Sequence, residues 1–373
     1  MNEGHEPLQE VRTTLKIPWY RCPIEPAVLR QLTGRSDLQG FLQALGHFLA
    51  VAALGFLTCW FFSRGAWVGF AVSLFVFGSV YSFTNFACHE LSHGTVFKTK
   101  WLNGFFLRVF SALGWFNFRH YKVSHTYHHL YTLYPRGDRE VVLPKYPSLE
   151  FRHLLQLFTL SVTGGWESPG LIPVLRSTFK LAFLRKPDDE WSRAIFQPAD
   201  TAESFRQAVA WARFLVIFYA AVLAAGIISG LWLPALLLTF GIFLGNWWRY
   251  FVGVPMHVGL RDNVPDFRLC VRTIKLDPVS HFLYWRMNYH TEHHMYAAVP
   301  CYRLRKLHRT LAADMPAPRS LVGAWREMRQ TWKRQQVEPG YQFDTPLPPR
   351  KAAPRKTDAL SASLGDLPPK SLE

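Results

Sequence analysis

The chain is short of cysteine and of negative charge. Cys22, Cys59, Cys88, Cys270 and Cys301 are scattered without a CxxC pair, which excludes a disulfide framework and a zinc-ribbon or rubredoxin-like site and leaves reduced thiols. Asp plus Glu number 26 against 42 Lys plus Arg, a formal charge of +16 with a pI near 9.8. Such a surplus calls for an anionic partner, either nucleic acid or a membrane surface. No GxGxxG fingerprint and no HPGG-type segment is present, so the chain carries no flavin, nicotinamide or haem module of its own. The first 40 residues show no basic stretch leading into a short apolar core, and no cleavable signal peptide is expected.

Apolar length is what the chain does have. With 30 Phe and 14 Trp it is too apolar to stay disordered, and its near-zero mean hydropathy hides strong local contrast. No charged residue occurs from Phe41 to Phe62, and after Ser63-Arg64-Gly65 none occurs from Ala66 to Cys88. Each run reaches the roughly 20 residues that cross a bilayer core, and the short link makes them a hairpin. A further uncharged stretch covers Phe214 to Trp248; as one helix it would be about 50 Å long, too tall for a bilayer. Ser229, Gly230 and Pro234 divide it into spans at about 214–230 and 233–248. The expected fold is therefore an all-α integral membrane protein with four transmembrane helices in two hairpins. Weaker apolar stretches, Trp101 to Phe118 and His153 to Val162, are interrupted or bordered by Arg108, Arg119 and Arg152 and read as interfacial helices.

Two hairpins leave the segment 1–40, the centre and the C-terminus on one side of the membrane domain 41–342. Arg64 is the sole charge in the two connecting turns, whereas the stretch from Cys301 onward holds 14 basic and 7 acidic residues. The positive-inside rule makes that side cytoplasmic, and anionic headgroups then account for the net charge without nucleic acid. The segment 343–373, rich in proline from Pro346 to Pro369, has the composition of a disordered tail.

Nine of the 15 histidines collect where the spans end on that side, in a helical cytoplasmic cap. His89-Glu90-Leu91-Ser92-His93 begins at the end of the second run, and a spacing of four puts both imidazoles on one helix face. His125-Thr126-Tyr127-His128-His129 and His290-Thr291-Glu292-His293-His294 each repeat an i, i+3, i+4 spacing, read as converging on one face. His257 stands alone beyond the fourth run. The first cluster also matches HExxH, a zinc protease signature with Glu90 as base, but one catalytic zinc takes three ligands and leaves two HxxHH clusters idle. Repeated imidazole faces are a costly polar surface unless a cation organises them, and neutral imidazole suits iron, copper, zinc or nickel alike. His5, His47, His120, His153, His281 and His308 are given structural roles, with His120 nearest to a cluster. Cys88, beside His89, is set aside as a packing thiol.

HxxxH, HxxHH and HxxHH in that order, interleaved with two hydrophobic hairpins, resemble the membrane fatty acid desaturase family. His89 to Phe97, HELSHGTVF, and Asn288 to Pro300, NYHTEHHMYAAVP, extend the resemblance, which covers about residues 41–308. It implies a di-iron centre, O2 as co-substrate, and removal of hydrogen from an unactivated C–H bond of a fatty acyl lipid or acyl thioester. The ligands it implies are His89, His93, His125, His128, His129, His257, His290, His293 and His294. Some relatives place an asparagine one turn before the lone histidine; Gly253 stands there in this chain. No catalytic residue beyond the metal ligands is expected. Glu90, Asp138, Glu140, Asp277, Asn288 and Glu292 are the polar side chains nearby in sequence, and Asn288 is the favoured partner for a ligand's second ring nitrogen. Desaturation is the favoured outcome and hydroxylation the alternative. Trp247, Trp248, Tyr250 and Trp285 are candidates to line the acyl path. Electrons must come from a separate ferredoxin, cytochrome b5 or similar carrier, for which Arg303, Arg305, Lys306 and Arg309 offer a basic docking face. The absence of a fused carrier, of glycosylation sequons and of a lysine-based retrieval ending favours a bacterial cytoplasmic membrane, with the endoplasmic reticulum as the eukaryotic counterpart.

Overall fold

A computed structural model describes residues 6–141, 148–165 and 170–349. Helix α1, Asp37–Ser63, starts where the Ser36 side chain accepts from the Gln39 amide and ends at Arg64, before Gly65 at φ +66°. A left-handed glycine is what so tight a turn needs. Helices α2, Trp67–Tyr81, and α3, Thr84–Ser92, follow in one line and pack back on α1, forming the expected first hairpin. Helix α4, Lys100–Leu113, buries Leu102, Phe106, Leu107 and Phe110 and exposes Trp101 and Phe105. Helix α5, Phe118–Tyr131, is capped by Asn117, whose side chain accepts from the His120 amide. Helix α6, Phe151–Phe158, exposes an apolar stripe of Phe151, Leu155 and Phe158, the pattern of a helix lying in an interface.

Helix α7, Ala202–Ile228, begins well before the apolar run that announces it, and Arg206 and Gln207 both donate to Glu203 along its first turns. Among the described residues, three apolar helical segments are long enough to cross a membrane: Asp37–Ser63, Trp67–Ser92 and Ala199–Ile228. The fourth expected span is not one helix. Helix α8, Trp232–Phe240, tightens into a 3-10 turn over Gly241–Phe243, and the chain is then extended at Leu244 and left-handed at Gly245. Trp232–Phe243 rises only about 18 Å. The backbone leaves the helix because partners wait elsewhere: the Ser161 amide donates to Phe243 O at 2.8 Å and the Gly245 amide to Thr159 O at 2.9 Å. Non-helical backbone at such a depth is tolerated only when protein satisfies it. Gly78 in α2 makes the crossing possible, since a Cβ there would lie 2.5 Å from the Leu244 Cβ and 2.9 Å from its backbone. Gly78→Ala is expected to cost about 1–3 kcal/mol by overpacking, read as a lower thermal midpoint.

The remaining elements assemble the histidine end. Helix α9, Trp247–Gly253, leads to the His257 turn. Strand β1, Ile274–Lys275, pairs in parallel with β2, Arg319–Ser320, with Ile274 opposite Arg319. Between them lie α10, Pro278–Leu283, α11, His290–Met295, and α12, Leu304–Leu311; α13, Leu321–Gln335, follows β2. The predicted tail starts later than residue 343: the Phe343 amide donates to Gly259 O, Arg261 pairs with Asp344, and Arg319 donates to Thr345. Its remainder from residue 350, and His5, lie outside the described residues.

Candidate metal centre

All nine clustered histidines meet, in two groups. Ring nitrogens of His89, His93, His125, His129 and His293 lie within 4.8 Å of one another, as do those of His128, His257, His290 and His294. The expectation that each HxxHH motif presents one face is therefore corrected. At about 100° per residue, positions i and i+4 are close in angle while i+3 is about 100° from i+4. His125 and His129 thus serve the first group and His128 the second; His290 and His294 serve the second and His293 the first. Helices α5 and α11 each reach both groups, α3 and its C-cap residue His93 supply only the first, and the His257 turn only the second.

The partners of the outer nitrogens set which tautomer each ring adopts. His125 donates from Nδ1 to Glu140 at 3.2 Å, His128 to Asp138 at 2.9 Å, His89 to Glu90 at 3.1 Å and His257 to the Cys270 carbonyl at 3.1 Å. Thr132 gives its own proton to the His128 carbonyl at 2.7 Å and so accepts from His294 Nδ1 at 3.0 Å. A neutral imidazole that donates from Nδ1 carries a lone pair on Nε2. Five lone pairs are thereby turned inward. Nε2 of His290 lies 3.0 Å from that of His257 and 3.1 Å from that of His294, yet one ring nitrogen can offer only a single proton. His125 Nε2, left with a lone pair by the Glu140 bond, lies between His93 at 3.3 Å and His129 at 3.0 Å and can accept from only one of them. His89 Nε2, His290 Nδ1 and both ring nitrogens of His293 are buried without a hydrogen-bond partner. Unpaired buried nitrogens are expensive. A cation in each group would accept the surplus lone pairs, so the donor set fits two metal ions.

Asn288, the favoured partner, does not touch a clustered histidine. It accepts from His281 Nδ1 at 2.8 Å and donates to Ile274 O at 2.9 Å. Glu292 likewise accepts from Thr273 at 2.6 Å and from His308, and Asp277 caps α10. The isolated histidines are taken elsewhere: His120 contacts Ser192 at 2.7 Å, His47 accepts from Trp285 at 3.0 Å, and His153 packs on Tyr250. Cys88 lies against Ser111. Thr132, the Cys270 carbonyl and the support of the His257 turn escaped sequence reasoning. That turn is a 3-10 helix, Val254–Met256, with His257 at its C-cap, and Arg272 braces it by donating to the carbonyls of Pro255 and Val258 while pairing with Glu327 at 2.6 Å.

A cavity of about 260 Å³ abuts both groups, walled by Phe86, Phe116, Tyr121, Val254, Met256 and Met287, with Gly253 beside His257. Trp247, Trp248, Tyr250 and Trp285 do not line it. Trp247 donates to Ser79, Trp248 to Ser280, Tyr250 to Ser148 O and Trp285 to His47.

Burial, reinforced by neighbouring imidazoles, drives His125, His129, His290, His293 and His294 well below the ordinary imidazole range. Burial, with Lys122 and His128 nearby, takes His93 from 6.5 to about 4. The unfolded chain therefore binds more protons than the metal-free fold below that ordinary value. The contribution of these histidines to stability is full above pH 6.5 and drains as pH falls toward 4. Thermal unfolding of metal-free protein should follow this, with the midpoint falling across that window.

The structure brings nine histidines into two groups that could each hold a metal ion, at the ends of apolar helices. The model of the fatty acid desaturase family matches residues 65–323, more than half of the chain, and the chain belongs to that family. It is accordingly an oxidoreductase of the desaturase and hydroxylase type. A comparison with curated proteins gives no match.

Proposed function

We propose that this chain is a membrane-bound di-iron oxidoreductase that uses O2 to introduce a double bond into a fatty acyl chain. The observation that carries the reading is the division of nine imidazoles into groups of five and four, both against one cavity in which Phe86, Phe116, Val254, Met256 and Met287 form an apolar side beside Asn85, Glu140 and Arg249. His89, His93, His125, His129 and His293 would hold one ion, and His128, His257, His290 and His294 the other. The iron pair, when bound, supplies the oxidising power needed to remove hydrogen from an unactivated C–H bond.

The protein's own part is positional. Glu140, Asp138, Thr132 and the Cys270 carbonyl hold rings in the tautomer that aims Nε2 inward. Tyr121 stacks on His125 with centroids 4.7 Å apart, and with Phe86, Phe116 and Met287 it keeps water from the reacting end of the chain. Asn85, Phe86 and His89 place this cavity at the part of α3 nearest the apolar length of α2, so an acyl lipid or acyl thioester would reach it from the membrane side. The helix α7 and the broken segment from Trp232 form the second hairpin, with the histidine end cytoplasmic, in a bacterial cytoplasmic membrane or the endoplasmic reticulum. A separate one-electron carrier completes the reaction. Two electrons from it, two protons from water and two hydrogens from the acyl chain reduce O2 to two waters.

The test is expression in a host of known lipid composition, with metal analysis of the purified protein and profiling of the lipids. Iron together with new double bonds is expected. Hydroxylated chains in their place would reassign the protein to the hydroxylases, and zinc without iron, or iron with no oxidised lipid, would overturn the reading.

A further inference from the structure

The histidine groups are approached from a second side. A second cleft, of about 320 Å³, is lined by His93, His125, His129 and His294. Its place along α3 differs from that of the apolar cavity. The apolar cavity is lined by Asn85, Phe86 and His89, the cleft by Ser92 and His93. From Phe86 to His93 the helix rises about 10 Å, so the cleft sits farther from the apolar length of α2. His93 and His129 are only half-buried, unlike the other members of their group. This is where the centre comes closest to solvent.

Charge in the cleft has one sign. Arg21 and Lys122 are its charged residues apart from the histidines, and no carboxylate lines it among the described residues. Arg108 and Arg119 add to the field at Lys122. Leu130, nearly half exposed, and Ala297 line the cleft as well. Cations beside exposed apolar surface suit a protein-docking surface, with the charges setting the association rate and its salt dependence. The basic face of α12 is a weaker candidate. Arg305, Lys306 and Arg309 are exposed, but Arg303 is engaged with Gln31 O, and the contact between His308 and Glu292 stands between α12 and the rings.

We propose that this cleft is the docking site of a small acidic one-electron carrier protein, with Arg21 and Lys122 steering it over His93 and His129. The inference rests on the redox reading above. Each encounter oxidises the carrier by one electron and delivers that electron to the histidine-held centre, and two encounters meet the balance already given. Substrate and electrons then arrive by separate clefts, and neither has to leave for the other to bind.

The experiment uses the full chain with its metal in nanodiscs of zwitterionic phosphatidylcholine, titrated with an acidic plant-type [2Fe–2S] ferredoxin and separately with soluble cytochrome b5. Affinity is read as a function of salt. Arg21→Glu combined with Lys122→Glu should weaken binding of the carrier by about tenfold or more at low salt and flatten its salt dependence, with unchanged metal content. The triple reversal of Arg305, Lys306 and Arg309 should leave both as they were. Arg21→Glu alone, at an exposed position, keeps the test open if the double variant folds poorly, and should produce a smaller shift of the same sign. Unchanged affinity and salt slope in the cleft variants, loss confined to the α12 variant, or no saturable carrier binding to the wild type would overturn the proposal. So would an effect seen only on binding to phosphatidylglycerol vesicles, which would make the cleft a headgroup surface. Iron content and lipid products of the same preparations separate a failed docking site from a failed assignment of function.

Discussion

His290→Ala should reduce turnover to background and lower the metal content to one ion per chain or less, with His125→Ala giving the mirror result at the other group. Each residue is the hub of its group. His290 Nε2 faces His257 and His294, and His125 Nε2 faces His93 and His129. Removing a hub opens a hole among imidazoles whose orientations are set by partners outside the group, so the remaining rings cannot close on the ion. Metal content by elemental analysis and product formation in the expressing host are the measurements. A variant that keeps both ions and full activity would remove that residue from the centre. His120→Ala is the control, since His120 is engaged with Ser192 outside both groups, and its metal content should be unchanged.

The second large effect is expected at Asp138, which is fully buried. One carboxylate oxygen accepts from His128 Nδ1 and from the Leu133 amide, both at 2.9 Å, and the other accepts from the Glu140 amide at 3.0 Å. An asparagine has the same shape but cannot accept on both sides; either orientation of the amide turns an N–H toward a donor. Asp138→Asn should therefore lower metal affinity or activity by about 10–100-fold, the range found when the partner of a metal-bound histidine is lost. Asp138→Ala should cost more in stability, because several buried N–H groups lose their acceptor at about 1–3 kcal/mol each. Comparing metal affinity with thermal midpoint in the two variants separates the effect on His128 from a general loosening of the fold.

The same residue explains what the sequence could and could not disclose. Eight of the nine histidines are legible because metal ligands on a helix must recur at turn spacing, and the three motifs do so; His257 has no such spacing and comes only from the family resemblance. Their allocation is not, because it depends on how α3, α5 and α11 cross. The ring partners were obscured by two local reversals. Leu133 is left-handed at φ 57°, which swings the chain back so that Asp138 and Glu140 reach α5 from beyond its end. Trp285 and Arg286, at φ 49° and 60°, turn the chain just before α11 and carry Asn288, the nearest polar neighbour in sequence, toward Ile274 and His281. Local strain of this kind clusters at functional sites and leaves little trace in composition. The fourth span misled for a related reason. Hydropathy registers apolar content, whereas the break at Leu244 depends on carbonyl and amide partners from Thr159 and Ser161, some 80 residues earlier.

The exchange of ligands between α5 and α11 has a consequence for how the protein matures. Neither ion can be seated by one half of the chain alone: the first requires α3 and α5 to receive His293, and the second requires His290, His257 and His294 to receive His128. Metal uptake therefore acts as a clasp fastened after both halves have arrived. Because two helices serve both ions, seating one orders most of the rings needed for the other. Loading should be cooperative, and a half-loaded chain a minor species, since binding energy at such a centre is also folding energy.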